Sequence, residues 1–357
     1  MLKAGIVGCG GIAEGKHIPA IKQVKDVEIV ALCDIIPEKM DKVEKKFELV
    51  NVKKYEDYNE MLKAEKLDVV YVLTPNSSHA PISIAAMEAD CHVMCEKPMA
   101  KTTAQAKDML DCAKKTGKLL TIAYQNRYRQ DSLYLKRACD RGDLGEVYFA
   151  RAHAVRRRGV PTWGVFLDAE AQGGGPLIDI GTHALDLTLW LLDNYKPKSV
   201  RGNVYRKLAE QTETGNAFGD WDPKEFTVED SAFAFITMEN DATIVLESSW
   251  ALNTLDVDEA KATLCGTLAG ADMKDGLRIN KVDMNKQVTV QPDLGSGGVD
   301  FFEGGESQDP PVIEQNIFIN AVLGKGELTV QPEQAFAVTQ ILEAIYESSA
   351  TGKEVTF

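Results

Sequence analysis

A chain of 357 residues, 44% hydrophobic and 26% charged, is longer than one compact core organises and suits two domains of an ordinary globular protein. Its formal charge of -14 excludes a broad basic face for nucleic acid or an anionic membrane surface, and no apolar run approaches the length of a membrane span. Small-molecule ligands are the class left open. The seven cysteines, at 9, 33, 91, 95, 112, 139 and 265, lie mostly in apolar segments without the pairing of metal ligands. They are expected to be reduced, with no metal site, in a cytoplasmic protein. The first residues, Met1 to Gly8, enter a strand pattern at once and leave no room for a signal or transit peptide.

The apolar run Leu2 to Val7 reads as a strand, and Gly8-Cys9-Gly10-Gly11-Ile12-Ala13 follows it before a helical stretch to about Val24. This is G-x-G-x-x-A where a dinucleotide fingerprint has physical meaning. Gly8 permits the tight turn, Gly10 lets backbone approach a pyrophosphate, and Ala13 keeps the helix close to the strand. A plain strand-to-helix turn is the simpler alternative. The next strand, Val27 to Cys33, ends in Asp34, which is expected to accept the adenosine ribose hydroxyls; no Arg or Lys stands at 35 or 36 to hold a 2'-phosphate, so the cofactor is NAD rather than NADP. Capping of the helix that starts near Pro37 is the alternative role for Asp34.

After a charged helix, Glu38 to Phe47, come a short strand near Val50 to Lys53 and a helix near Tyr55 to Ala64. Leu67 to Leu73 is a buried strand by its β-branched run, and it ends in the polar turn Thr74-Pro75-Asn76-Ser77-Ser78-His79. Ligands bind at the carboxyl ends of such strands, which makes Thr74, Pro75, Asn76 and His79 candidate cofactor contacts. The strand Cys91 to Cys95 stops at Glu96-Lys97-Pro98, where the proline forces Lys97 into an extended conformation at the mouth of the sheet. A helix from Thr102 to Thr116 and a strand from Leu119 to Tyr124 complete the alternation. Residues 1–124 therefore read as an NAD-binding Rossmann domain, a doubly wound parallel sheet, with Glu96, Lys97 and Gln125 as further cofactor candidates.

Beyond Gln125 the pattern changes. One helix, near Leu133 to Arg141, precedes alternating strands at Val147 to Val155, Ser199 to Lys207, Ala232 to Met238, Thr243 to Ser249 and Lys261 to Cys265. Residues 125–330 read as an α+β domain with a mostly antiparallel sheet. Glycine-rich, acidic text from Pro292 to Pro310 reads as a long loop. Pro332 to Ser349 is an amphipathic helix with Ala335, Val338, Leu342 and Ile345 on one face, so that 331–357 packs back on the body.

Between the first two of those strands lies Gly173-Gly174-Gly175-Pro176, followed by a run to Asp193 that is apolar on almost every side of a helical wheel. Asp179, His183 and Asp186 share one stripe of that otherwise dry rod. A core histidine held by Asp179 is the bland alternative to a reactive pair.

Taken together, the glycine fingerprint, Glu96-Lys97-Pro98 and the GGG-x-x-x-Asp179-x-x-x-His183 run resemble the glucose-fructose oxidoreductase / inositol dehydrogenase (Gfo/Idh/MocA) family, in order and spacing over essentially the whole chain. The resemblance implies hydride transfer between NAD and a secondary alcohol of a sugar, inositol or related polyol, with residues 125–330 as a substrate and oligomerisation domain whose large open sheet forms a homodimer or homotetramer. It places the family's lysine, aspartate and histidine on Lys97, Asp179 and His183. His183 suits the base that takes the hydroxyl proton, Asp179 either orients the imidazole or binds a neighbouring hydroxyl, and Lys97 is a cation beside the oxygen. Some relatives use transient oxidation to cleave glycosides, and a sensor on this fold would bind NAD without turnover. For the substrate, Arg127, Arg156, Trp163 and Phe166 are candidates, with a solvated basic loop around an aromatic anchor as the alternative.

Overall fold

The computed structural model describes residues 1–294 and 309–357. The chain divides into two compact units, Met1–Gln125 with Ser307–Phe336, and Asn126–Glu306 with Ala337–Phe357.

The first unit is built on six strands, β1 (Leu2–Val7), β2 (Val27–Cys33), β3 (Lys53–Tyr55), β4 (Val69–Val72), β5 (His92–Cys95) and β6 (Leu120–Ile122). They lie in the order β3-β2-β1-β4-β5-β6, all parallel. The Val-Val-Tyr-Val of β4 is buried at every position, as a strand covered on both faces must be. The order reverses between β1 and β4, so a crevice for a ligand opens at their carboxyl ends. The helix after Gly10 runs over residues 11–21, contains a π-type turn at Ala13–His17, and stops short of the expected Val24. A helix that sequence reasoning did not find, Pro310–Val322, begins with two prolines and sends Phe318 and Ile319 into the core with Ala4, Ile6 and Tyr71.

The second unit carries nine strands: β7 (Val147–Val155), β8 (Pro197–Tyr205), β9 (Ser231–Met238), β10 (Thr243–Ser249), β11 (Asp258–Gly266), β12 (Ala269–Asp272), β13 (Arg278–Asp283), β14 (Lys286–Val290) and β15 (Val355–Thr356). Their order is β14-β13-β12-β11-β7-β10-β9-β8-β15, antiparallel except for the parallel pair β7 and β10. Along the middle of β7 the buried positions are all alanine, Ala150, Ala152 and Ala154. That smooth face lets the helix Thr182–Leu192 lie close against β7 and β11. Strands β12 to β15 were not anticipated. β13 and β14 meet in a two-residue hairpin whose central Met284 and Asn285 both have positive φ, at 47° and 61°. Of the glycine-rich stretch read as a loop, residues 295–308 lie outside the described residues. The final helix is Pro332–Thr351, with Ala335, Val338, Leu342 and Ile345 buried as expected. No helix among the described residues is long and apolar enough to cross a membrane.

Candidate active site

In the second unit the site is prepared by three glycines. Gly173 closes the short helix Ala169–Gln172 at φ 82°. Gly175 lies so close to β9's approach that a Cβ there would stand 2.2 Å from the Glu229 carbonyl oxygen. Glu229 is itself buried, and its carboxylate accepts from the backbone N–H of Gly175 at 2.8 Å, the N–H of Leu177 at 3.2 Å and the Tyr346 hydroxyl at 2.8 Å. An anion is therefore fixed at the start of the following helix, where the first N–H groups need acceptors. Burial pushes this carboxyl up, and the three donors only partly offset it.

From Pro176 the chain winds through a π-type turn, Leu177–Gly181, into the α-helix Thr182–Leu192. π-type turns re-aim side chains and recur at functional sites. Across residues 174–191 every position is buried except Asp179 and His183. Asp186, on the same stripe in the sequence reading, is instead buried in a two-point ion pair with Arg127: Nε to Oδ2 is 2.9 Å and Nη2 to Oδ1 is 2.5 Å. Arg127 is fully buried, so the expectation that it meets substrate gives way to a structural role joining its segment to this helix.

Asp179 is gripped from the end of β10. The indole Nε1–H of Trp250 donates to its Oδ2 at 3.0 Å, and Ser248, two residues earlier, donates to the Pro176 carbonyl at 2.8 Å. Sequence reasoning placed the strand Thr243 to Ser249 but not this contact, because Trp250 stands 71 positions from Asp179 and no spacing links the two. Arg156, another substrate candidate, pairs with Glu259 through both Nε and Nη2 and donates to the Gly159 carbonyl at 2.9 Å. Trp163 is half exposed, and Phe166 packs between it and Trp250 at ring separations of 5.8 and 6.4 Å.

In the first unit, Gly8 has φ 96°, and a Cβ on it would stand 2.5 Å from the Leu73 carbonyl oxygen, so β1 and β4 close here only on glycine. Gly10 and Gly11 differ: a Cβ on either would meet nothing within 4 Å. Open space beside the first turn of a helix is the cradle a phosphate needs. Ile12, at that turn, is exposed and Ala13 is buried. Asp34 accepts from the N–H of Cys9 at 2.8 Å and of Ile36 at 2.9 Å, which leaves acceptor capacity on a carboxylate at the crevice edge. The exposed side chain of Ile35 beside it offers an apolar face of the kind a purine covers. At the end of β4 the Thr74 hydroxyl is buried and makes no hydrogen bond among the described residues, while Pro75 is exposed and Asn76 opens a short 3-10 turn. Gln125 is partly exposed in the turn after β6. These features fit NAD.

Two expected cofactor contacts prove to be internal supports. His79 is fully buried, with Nδ1 2.8 Å from the Pro98 carbonyl oxygen and Nε2 2.9 Å from that of Thr74. It ties the turn after β4 to the turn after Lys97. Burial pushes its pKa down against the pull of those two carbonyls. Glu96 is also buried: Lys16 Nζ lies 3.0 Å and His17 Nε2 2.8 Å from its Oε1, and its Oε2 accepts the Lys97 N–H at 3.0 Å. Burial would raise this carboxyl, but Lys16 and His17 outweigh it and hold it well below the usual range. Across residues 93–100 Lys97 alone reaches the surface. The peptide bond that follows it, Lys97-Pro98, is cis.

Two family models match the chain: "Oxidoreductase family, NAD-binding Rossmann fold" over residues 2–124 and "GFO/IDH/MocA C-terminal domain" over residues 132–271. The chain belongs to the GFO/IDH/MocA oxidoreductase family. Among its relatives, the D-glucoside 3-dehydrogenase of Escherichia coli K12 is 36% identical over 99% of this chain and 97% of its own length. The inositol 2-dehydrogenase of Salmonella paratyphi B is 30% identical over 56% of this chain and 57% of its own. The levoglucosan dehydrogenase structure with NADH and levoglucosan superposes with a TM-score of 0.81 at 20% identity, covering 99% of both chains, and shares the fold. This GFO/IDH/MocA protein is an NAD-dependent oxidoreductase acting on CH–OH groups, with its NAD-binding Rossmann sheet in the first unit.

Proposed function

We propose that the protein oxidises a ring hydroxyl of a D-glucoside, at the 3-position, with NAD as acceptor. The observation that carries the reading is that Asp179 and His183 are the two positions of an eighteen-residue buried segment, 174–191, that reach solvent. Ionisable groups placed so on a buried rod are there for chemistry. The glucoside and its 3-position are supported by the relative that matches nearly end to end.

In this reading His183 takes the proton of the reacting hydroxyl, because imidazole titrates near neutrality and accepts a proton as the carbon is oxidised. Asp179, held by Trp250, orients the sugar or the imidazole and stabilises the charge that His183 gains. Lys97 stabilises negative charge developing on the oxygen. NAD, when bound, supplies the hydride-accepting nicotinamide. Gly10, Gly11 and Ile12 hold its pyrophosphate and Asp34 its ribose, with Thr74, Pro75, Asn76 and Gln125 beside it. The open face of the nine-stranded sheet carries the exposed Phe235 beside Val245 and Arg151, which supports a homo-oligomer, dimer or tetramer. Seven free cysteines support a reducing, cytoplasmic setting.

The test is optical reduction of NAD with methyl glucosides, glucose, glucose 6-phosphate and myo-inositol, followed by identification of the oxidised carbon. Glucosides are expected to turn over best, giving the 3-keto product. His183→Ala should lower kcat by roughly 10²- to 10⁴-fold and leave NAD affinity in place. Preference for inositol, or turnover that survives His183→Ala, would contradict the reading.

A further inference from the structure

Two large aromatic side chains stand in water beside the candidate site, on backbone that is not free to fold them away. Trp163 is 52% and Phe218 47% exposed, and their rings meet edge to face with centroids 5.1 Å apart. Each comes from a different segment, and hydrogen bonds lock the two segments together. The side chain of Asn216 donates to the Val160 carbonyl at 2.9 Å and accepts the Val160 N–H at 2.9 Å, while the Thr162 hydroxyl donates to the Phe218 carbonyl at 2.6 Å. A half-exposed pair on a mobile loop is common; a half-exposed pair fixed by this many bonds is a built surface.

The pair is joined to the site by packed rings. Phe166 packs on Trp163, Trp250 packs on Phe166, and Trp250 holds Asp179. Two ring-to-ring contacts thus separate Trp163 from the indole at Asp179. A group lying on Trp163 and Phe218 sits beside the reacting sugar rather than at the reacting carbon. In a glucopyranoside oxidised at C3, the anomeric carbon stands one ring atom further on, across C2, so a substituent on its oxygen extends past the reacting carbon's own hydroxyl neighbours.

We infer that Trp163 and Phe218 form the platform for that substituent: a second sugar ring, or another flat group with an apolar face, linked through the anomeric oxygen. The inference rests on the reading of the protein as a glucoside 3-dehydrogenase. Pyranose rings present patches of C–H on their faces and hydroxyls at their edges, so aromatic rings recognise the face without hydrogen bonds and tolerate several linkages. The protein then favours glycosides carrying a bulky flat group over methyl glucoside and over free glucose.

The experiment compares kcat/KM for phenyl glucoside, a glucose disaccharide and methyl glucoside, each as both anomers where they exist, in the wild type, Trp163→Ala, Phe218→Ala and Trp163→Phe. Either alanine variant should lose about tenfold on phenyl glucoside and the disaccharide, mainly through KM, and less than about twofold on methyl glucoside; Trp163→Phe should recover most of the loss. Equal losses on all three substrates, or no loss, would overturn the platform while leaving the glucoside reading in place. A change of oligomeric mass in Trp163→Ala with the substrate ranking intact would overturn it in favour of a contact between copies of the chain. Wild-type protein that oxidises no glucoside would overturn the underlying reading, and the platform with it.

Discussion

At the scale of single residues, the contact between Trp250 and Asp179 has the sharpest consequence. A hydrogen bond to a carboxylate favours its ionised form and fixes its direction, and here the donor is a fully buried indole with no freedom to swing away. Trp250→Phe keeps most of the ring and removes the N–H. The expected result is a fall of about tenfold in kcat, the worth of one hydrogen bond to a charged group. A loss of thermal stability with kcat unchanged would reduce Trp250 to packing. Sequence reasoning reached Asp179 and His183 because charge on an apolar helix stands out, but it set Asp186 beside them, since spacing cannot say which polar residue has a partner. Arg127 supplies that partner from 59 positions away, and the pair removes both from the surface. Glu96 and His79 were legible as residues near the cofactor crevice and illegible as its inner supports for the same reason: their partners are backbone carbonyls and a buried lysine that only the fold brings close.

At the scale of elements, β1, β2, β4, β5 and β6 were legible because buried parallel strands read as apolar runs and end in turns of glycine, proline or polar residues, whereas β3, a largely exposed Lys-Lys-Tyr, lies past the expected Val50 to Lys53. β12 and β13 were not legible. Ala-Gly-Ala-Asp has little strand propensity, and β13 is exposed along most of its length, so neither alternation nor hydrophobicity marks it. The glycine turn after β1 shows how an element's motif divides between folding and binding. Gly8 is required by the fold, its Cβ barred by the Leu73 carbonyl, whereas Gly10 borders open space. Gly8→Ala should therefore cost roughly 3 kcal/mol or more in unfolding free energy. Gly10→Ala should unfold within about 1 kcal/mol of wild type and weaken NAD by about tenfold or more. Denaturant titration and NAD binding, measured on both variants, separate the two effects. Equal stability losses would contradict the division.

At the scale of the whole molecule, the first unit is assembled from distant parts of the chain. The helix Pro310–Val322 brings Glu314 and Gln315 to residues some three hundred positions earlier. Lys16 Nζ lies 3.2 Å from Glu314 Oε2 and 3.0 Å from Glu96 Oε1, and the Gln315 amide lies 3.2 Å from Nδ1 of His17. Two carboxylates thus share one buried ammonium. Burial pushes the Glu314 carboxyl up to about 7, the neighbouring Glu96 charge adds to the rise, and Lys16 opposes it. A carboxyl whose pKa is higher in the folded chain than in the unfolded one binds its proton more tightly when folded. Its contribution to stability is complete in acid, declines as the pH climbs from the ordinary carboxylate range, and is lost once the pH passes about 7. Glu314→Gln keeps the shape and a polar contact for Lys16 but cannot ionise. Its unfolding midpoint, relative to wild type, should therefore rise between pH 5 and about pH 7 and level off above it, whatever the fixed offset from the lost charge pair. The comparison cancels His17 and His79, which titrate in both proteins. A difference that stays flat or falls across that range would mean that Glu314 is ionised throughout, with Lys16 rather than burial governing the cluster.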